Sequence, residues 1–163
     1  KVDLGRAAYD AALQRIQPVL DAWTGEHGPD HIWTALARSV QARALHGLGR
    51  HEDAETILTA IRPIFEAEYG TGLELVGVVR REIGRVLLAQ GRLSAAHEHA
   101  EAAREIQAQA LPAEHYELAD TYHLLCEIAE AQGRDDAASW MQKAYAIRSA
   151  HTPKHPVTAE LRQ

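Results

Sequence analysis

Cysteine occurs once in the 163 residues, at Cys126, so no disulfide can form within the chain. A reducing compartment is the simplest reading of that single thiol. Aromatic residues make up 6% and phenylalanine occurs once, so the core is not built from bulky rings. Basic residues are outnumbered, 17 against 23 acidic, and the net charge of −6 argues against a general nucleic-acid binder, which would show a basic excess. No apolar run approaches the length of a membrane span, and no signal peptide is visible. The chain does open on Lys1 rather than Met, which is compatible with a removed leader. Enzyme signatures are missing as well: there is no Walker loop, dinucleotide fingerprint, GxSxG or HExxH.

What is present is a period. GRHEDA (Gly49 to Ala54), GRLSAA (Gly91 to Ala96) and GRDDAA (Gly133 to Ala138) follow one another at intervals of 42 residues. The breakers Gly28, Gly70 and Pro112 fall at the same interval, and so do the small residues Ala42, Gly84 and Cys126. A fixed period of this size marks a stacked repeat. Two stops per period mean two elements per period. Apolar residues between the stops recur at helical spacing, as in Ala54, Ile57, Leu58, Ile61, Ile64 and Phe65. The corresponding faces are expected to be Ala96, Ala100, Ala103 and Ile106, and then Ala138, Met141, Tyr145 and Ile147. Thr71 with Glu74 reads as a capping box. Abundant alanine favours helix and lets helices approach closely.

Helices are therefore expected over about 3–25, 30–47, 51–68, 72–89, 93–110, 114–131, 135–150 and 156–162, with ends uncertain by a few residues. Short connections make neighbours antiparallel. The expected division is 1–27 as the second helix of a preceding repeat, repeats at 28–69, 70–111 and 112–153, and 154–163 as a partial repeat or capping helix. The chain thus begins and stops within a repeat. The glycines serve the turn, since they tolerate backbone angles other residues resist. Ala54, Ala96 and Ala138 are expected where the second helix of each pair crosses Ala42, Gly84 and Cys126 on the first.

The pattern GPDH (Gly28 to His31), AEHYELA (Ala113 to Ala119) and KHPVTAE (Lys154 to Glu160), with a small residue mid-helix and then G-R-x-x-x-A, resembles the tetratricopeptide repeat (TPR) of the long, roughly 42-residue kind, as in kinesin light chains and many bacterial regulators. The second repeat departs from it with TGLE (Thr71 to Glu74), and the early aromatic of the first helix appears only as Tyr122. HEAT and armadillo arrays share the period but lack the Gly-Arg turn. The resemblance implies an all-α fold, a right-handed αα-superhelix of antiparallel helix pairs. Fold alone does not fix function.

The resemblance also implies a concave groove lined by the first helix of each repeat. Counting back from the turn glycines gives its register as Leu36, Ser39, Arg43 and His46, then Val78, Arg81, Arg85 and Leu88, then Asp120, His123, Glu127 and Glu130. The groove is expected to be basic at Arg43, Arg81 and Arg85 and acidic at Asp120, Glu127 and Glu130. Arg85 and Glu127 stand in register and would pair, for about 0–1 kcal/mol on an exposed face. Arg43 and Arg81 have no carboxylate in register and are the better candidates to hold a ligand carboxylate.

The implied function is a non-enzymatic module that binds a peptide or partner protein, possessing an acidic segment, within a larger regulatory protein. No cofactor, catalytic residue, metal, nucleic acid or membrane is expected; the location is expected to be cytoplasmic, and the Ala- and Arg-rich usage suggests a bacterial source. Self-association as a homo-oligomer through end helices carrying Val19, Leu20, Val157 and Leu161 is the alternative. A metal-dependent enzyme hidden among the ten histidines is a third reading. His97 and His99, two apart on a helix, point in different directions, and His151 and His155 would chelate only weakly. Cys126 reads as a buried, inert thiol. Trp23, Trp33 and Trp140 are expected in packing between repeats, with an exposed anchor near a helix start as the alternative for Trp33.

Overall fold

The computed structural model describes residues 2–151. Its helices are α1 (Val2–His27), α2 (Ile32–Gly47), α3 (His51–Tyr69), α4 (Glu74–Ala89), α5 (Leu93–Ala110), α6 (Tyr116–Ala131) and α7 (Ala137–His151). Each packs on the next in sequence, and α4 also touches α2 and α6. The expected helix 156–162, with Val157 and Leu161, lies outside the described residues.

The turn after α2 shows why Gly-Arg recurs. Gly49 adopts φ 82°, and its N–H donates to the His46 carbonyl at 2.9 Å, while the Arg50 N–H donates to the Leu45 carbonyl at 2.9 Å. Gly91 and Gly133 repeat the positive φ, and Arg92 and Arg134 repeat the backbone bond, to Leu87 and Ala129. These bonds satisfy carbonyls that a helix end leaves without a partner. The arginine side chains have a separate role. Arg50 holds Asp53 at 2.7 Å, and Arg92 reaches back to Glu55 on α3 at 2.6 Å.

Beyond the turn the helices cross closely. Ala42, Ala54 and Ala96 are wholly buried, and Gly84 and Cys126 are buried with them. A Cβ placed on Gly84 would lie 3.2 Å from Leu124 Cδ2 and 3.3 Å from the Ala96 carbonyl oxygen. Around these contacts runs a continuous core that includes Leu58, Ile61, Phe65, Val86, Leu87 and Leu125. Burying one such side chain contributes about 1.5–3 kcal/mol.

Two expectations are corrected. The first concerns the start of α4. Its N-cap is Leu73, with no side-chain hydrogen bond, so Thr71 and Glu74 form no capping box. The period decides this: His31, Leu73 and His115 cap α2, α4 and α6, each 42 residues from the next. Thr71 then lies two residues ahead of the cap. His31 and His115 accept from the N–H groups of Trp33 and Glu117 through Nδ1, at 3.3 Å each.

The second concerns the buried face of α7. Ala138, Met141 and Tyr145 point outward, Tyr145 at 71% exposure, while Ala144 and Ile147 are buried and Ala137 and Trp140 half-buried. The inward face is turned by one residue relative to α3 and α5. Asp135 and Asp136 form a turn where His51 and Leu93 begin their helices. Asp136 accepts from Trp140 Nε1 at 3.1 Å and from Arg134. Trp140 is drawn in over Tyr122, ring centroids 5.8 Å apart and nearly parallel.

The crossing makes a specific demand on volume. Gly84→Val should lower stability by about 1–3 kcal/mol, because overpacking displaces the neighbours of a close contact. Chemical unfolding of the variant beside its parent checks this; an unchanged midpoint would show that the crossing has slack.

Candidate peptide-binding groove

The period brings three of the expected positions to one cleft. Arg43 and His46 of α2 and Arg85 of α4 line a cavity of about 280 Å³, with Tyr9 of α1, Val40 and Glu82. Arg43 is exposed and has no hydrogen bond or ion pair among the described residues. Arg85 reaches Glu82 only at 4.0 Å, and its Nε is buried with no hydrogen-bond partner. A buried donor left in that state costs free energy. The expected pair of Arg85 with Glu127 is not formed: Glu82, one turn back on α4, is nearer, and Glu127 takes His123 at 3.6 Å.

His46 is half-buried in this cleft. Its Nδ1 lies 3.1 Å from Nδ1 of His51, so one ring donates and the other accepts. Burial holds the His46 pKa below its ordinary value, and His51 adds to the effect.

Arg81 behaves otherwise than expected. It is 5% exposed, and its guanidinium is held by the Glu117 carboxylate, the Glu117 carbonyl at 3.2 Å and Glu82 at 3.3 Å. Burial opposes its charge, but Glu82 and Glu117 outweigh that and keep it protonated. Its partners were not in register. Glu117 occupies the position of Trp33 and Leu75 in the neighbouring repeats, and that apolar-to-acid exchange was the available signal. Removing one member of such a group leaves buried charge uncompensated, at about 3–5 kcal/mol. A substitution at Arg81 therefore reports on folding before it reports on recognition.

The remaining positions are engaged within the array. Ser39 donates to the Leu36 carbonyl at 2.7 Å. Asp120 accepts from Arg148 of α7 at 3.0 Å. The Cys126 thiol lies 3.7 Å from Glu130, and burial pushes its pKa up, with the Glu130 charge adding to it. Leu36 and Leu88 pack against the core, and Val78 is half-buried. Among the described residues no group of three or more His, Cys, Asp or Glu is placed to hold a metal ion, and no helix is long and apolar enough to cross a membrane. His97 lies 3.9 Å from Glu101, whereas His99 feels the charges of Arg80 and Arg62. Trp33 meets Trp23 of the preceding repeat with ring centroids 6.2 Å apart, yet it stays 48% exposed.

His99, like His46, is held below the ordinary histidine pKa of 6.5, by burial first and then by Arg80 and Arg62. The neutral ring is favoured in the fold. Below pH 6.5 the unfolded chain takes up protons that the folded chain does not, so stability is complete above that value and falls as pH drops toward the lower folded pKa. Denaturant midpoints between pH 7 and pH 5 should therefore decrease. A His46→Gln/His99→Gln variant should flatten this region, whereas an unaltered slope would locate the loss in other groups.

The tetratricopeptide repeat family matches residues 3–67 and 41–109. Among solved structures, the nearly identical TPR-like repeats of a putative kinesin light chain from Podosopora anserina superpose with a TM-score of 0.72 at 21% identity, covering 95% of this chain and 77% of that one. A Q17M form of those repeats gives 0.73 at 21% identity, covering 95% and 76%. BtubC (BKLC) from P. vanneervenii gives 0.75 at 19% identity, covering 92% of this chain and 60% of that one. No curated protein sequence matches the chain. The seven helices among the described residues, packed in sequential antiparallel pairs, the three recurring Gly-Arg turns and the matched segments together make this chain a member of the tetratricopeptide repeat family.

Proposed function

We propose that the chain is a protein-interaction module and that it takes an acidic segment of a partner protein along the groove formed by α2 and α4. The observation that supports this reading is Arg43, a guanidinium with no partner among the described residues, in one cleft with the under-satisfied Arg85. Five N–H donors in a planar fork suit a carboxylate better than any neutral group. Val40 and Tyr9, both 42% exposed, supply an apolar surface beside it for the neighbouring side chain of the ligand. Arg81 is excluded from this role because it is buried and its two terminal nitrogens are held by Glu117 and Glu82. On this reading the module is non-enzymatic and belongs to a larger cytoplasmic regulatory protein.

The test compares proteins captured from a lysate of the source cells by the parent and by Arg43→Glu/Arg85→Glu. A partner held by the parent should be lost, with affinity down at least tenfold, because charge-assisted hydrogen bonds contribute about 1.5–3 kcal/mol each. Equal capture by both would move recognition off this face.

Self-association is the second reading. Leu20 is 6% exposed and Val19 half-buried, whereas Met141 and Tyr145 on the end helix α7 are 41% and 71% exposed. Sedimentation velocity should show a concentration-dependent dimer that Met141→Glu/Tyr145→Glu abolishes; a parent that stays monomeric at high concentration removes this reading.

A further inference from the structure

A second cleft lies away from the arginine groove, where the turn between α1 and α2 meets the outer face of α3. It measures about 470 Å³ and is lined by Asp30, His31, Ile32, Pro63, Ile64 and Glu68, with two alanines between them. Its charge is opposite in sign to that of the groove. Asp30 and Glu68 are exposed and have no hydrogen bond or ion pair among the described residues. No lysine or arginine lines the cleft. Pro63 stands inside α3 and has no N–H to give the Thr59 carbonyl one turn back, so the helix itself leaves a further acceptor beside Ala60. The floor between these acceptors is apolar.

His31 joins the cleft to an aromatic cluster. Its ring stacks on His27 at 4.6 Å and meets Trp33 edge-on at 5.3 Å, and Trp33 leans on Trp23 at 6.2 Å. His31 Nδ1 accepts from the Trp33 N–H, which holds the ring in place across the turn. Trp33 remains 48% exposed. A half-exposed tryptophan, fixed by its neighbours, has the composition of an interface anchor.

We propose that this cleft is a second interaction surface that binds an arginine-bearing peptide segment. Three features select that side chain together. The guanidinium is planar and packs against aromatic rings, and the His31 ring lines the cleft with Trp33 behind it at 5.3 Å. Its fork of donors matches carboxylates, and Asp30 and Glu68 are unengaged. Its aliphatic stem covers apolar surface, here Ile32, Pro63 and Ile64. An ammonium group can pair with a carboxylate or approach a ring, but it has neither the planar face nor the fork of donors. The site stands independently of the arginine groove, since it shares no residue with it.

The experiment uses the full 163-residue chain, ¹⁵N-labelled, and a short blocked peptide alternating leucine and arginine, with two controls in which lysine or citrulline replaces arginine. Affinity is read by fluorescence anisotropy at physiological salt, and the site by amide and indole shifts. The arginine peptide should bind and move the amides of His31, Ala60 and Ala67 and the Trp33 indole. The lysine peptide should bind at least threefold more weakly and the citrulline peptide at least tenfold more weakly. Asp30→Asn/Glu68→Gln, two exposed neutral substitutions, should weaken the arginine peptide about tenfold, whereas Arg43→Ala leaves it unchanged. Absence of binding, equal affinity for the lysine peptide, an unaffected double variant, or shifts centred on Arg43 and Arg85 would each overturn the proposal. Failure of the arginine-groove reading would leave all these results as they are.

Discussion

The structure depends first on how closely the two helices of a pair approach just after each Gly-Arg turn. Ala42 against Ala54, and Gly84 against Ala96, leave room for little beyond backbone. That approach sets the spacing of the α2–α3 and α4–α5 pairs, because close-packed interiors do not absorb an extra methylene without displacement. It also explains why a chain with one phenylalanine can build a core. Many small and medium side chains, stacked along the array, replace the few bulky ones of a globular domain. The repeated turn supplies the geometry three times, with the same backbone hydrogen bond from Arg50, Arg92 and Arg134.

Once the inner faces are committed to small residues, charge has to be placed at the remaining positions, and the array uses it in two ways. Arg81, Glu82 and Glu117 form a buried group between α4 and α6, where each charge is tolerable only because the others are present. Arg43 and Arg85 hold equivalent places on neighbouring helices, yet one has no partner and the other is incompletely satisfied. The difference between a structural arginine and one available to a ligand is therefore set by whether a neighbouring repeat happens to supply a carboxylate. Asp30 and Glu68 are the acidic counterpart, unpaired for the same reason.

Helix α7 shows how a local contact overrides a period. Asp136 and Trp140 together start the helix two residues late and turn its inward face by one position, so Met141 and Tyr145 face outward where the repeat pattern would bury them. A rotation of that size exchanges a buried side chain for an exposed one. The repeat unit is thus strict at the Gly-Arg turn, where backbone geometry is required, and permissive at a helix that, among the described residues, only its predecessor covers.

The fold was legible in the residues alone. A 42-residue recurrence of Gly-Arg, a small residue and alanine specifies turns and crossings through local backbone freedom and volume, and both act over short distances. The positions Arg43, His46 and Arg85 could be placed on one face by the same counting. Their state could not. That Arg81 is buried by Glu117 while Arg43 stands free depends on which carboxylates arrive from helices some 35 residues away, and hydrogen bonding is decided at a few tenths of an ångström. Asp30 and Glu68, far apart in the chain, share a cleft only because α3 folds back across the α1–α2 turn. Periodicity determined where each side chain stands along its helix; tertiary packing alone decided which of them are satisfied by the protein and which are left to meet something else.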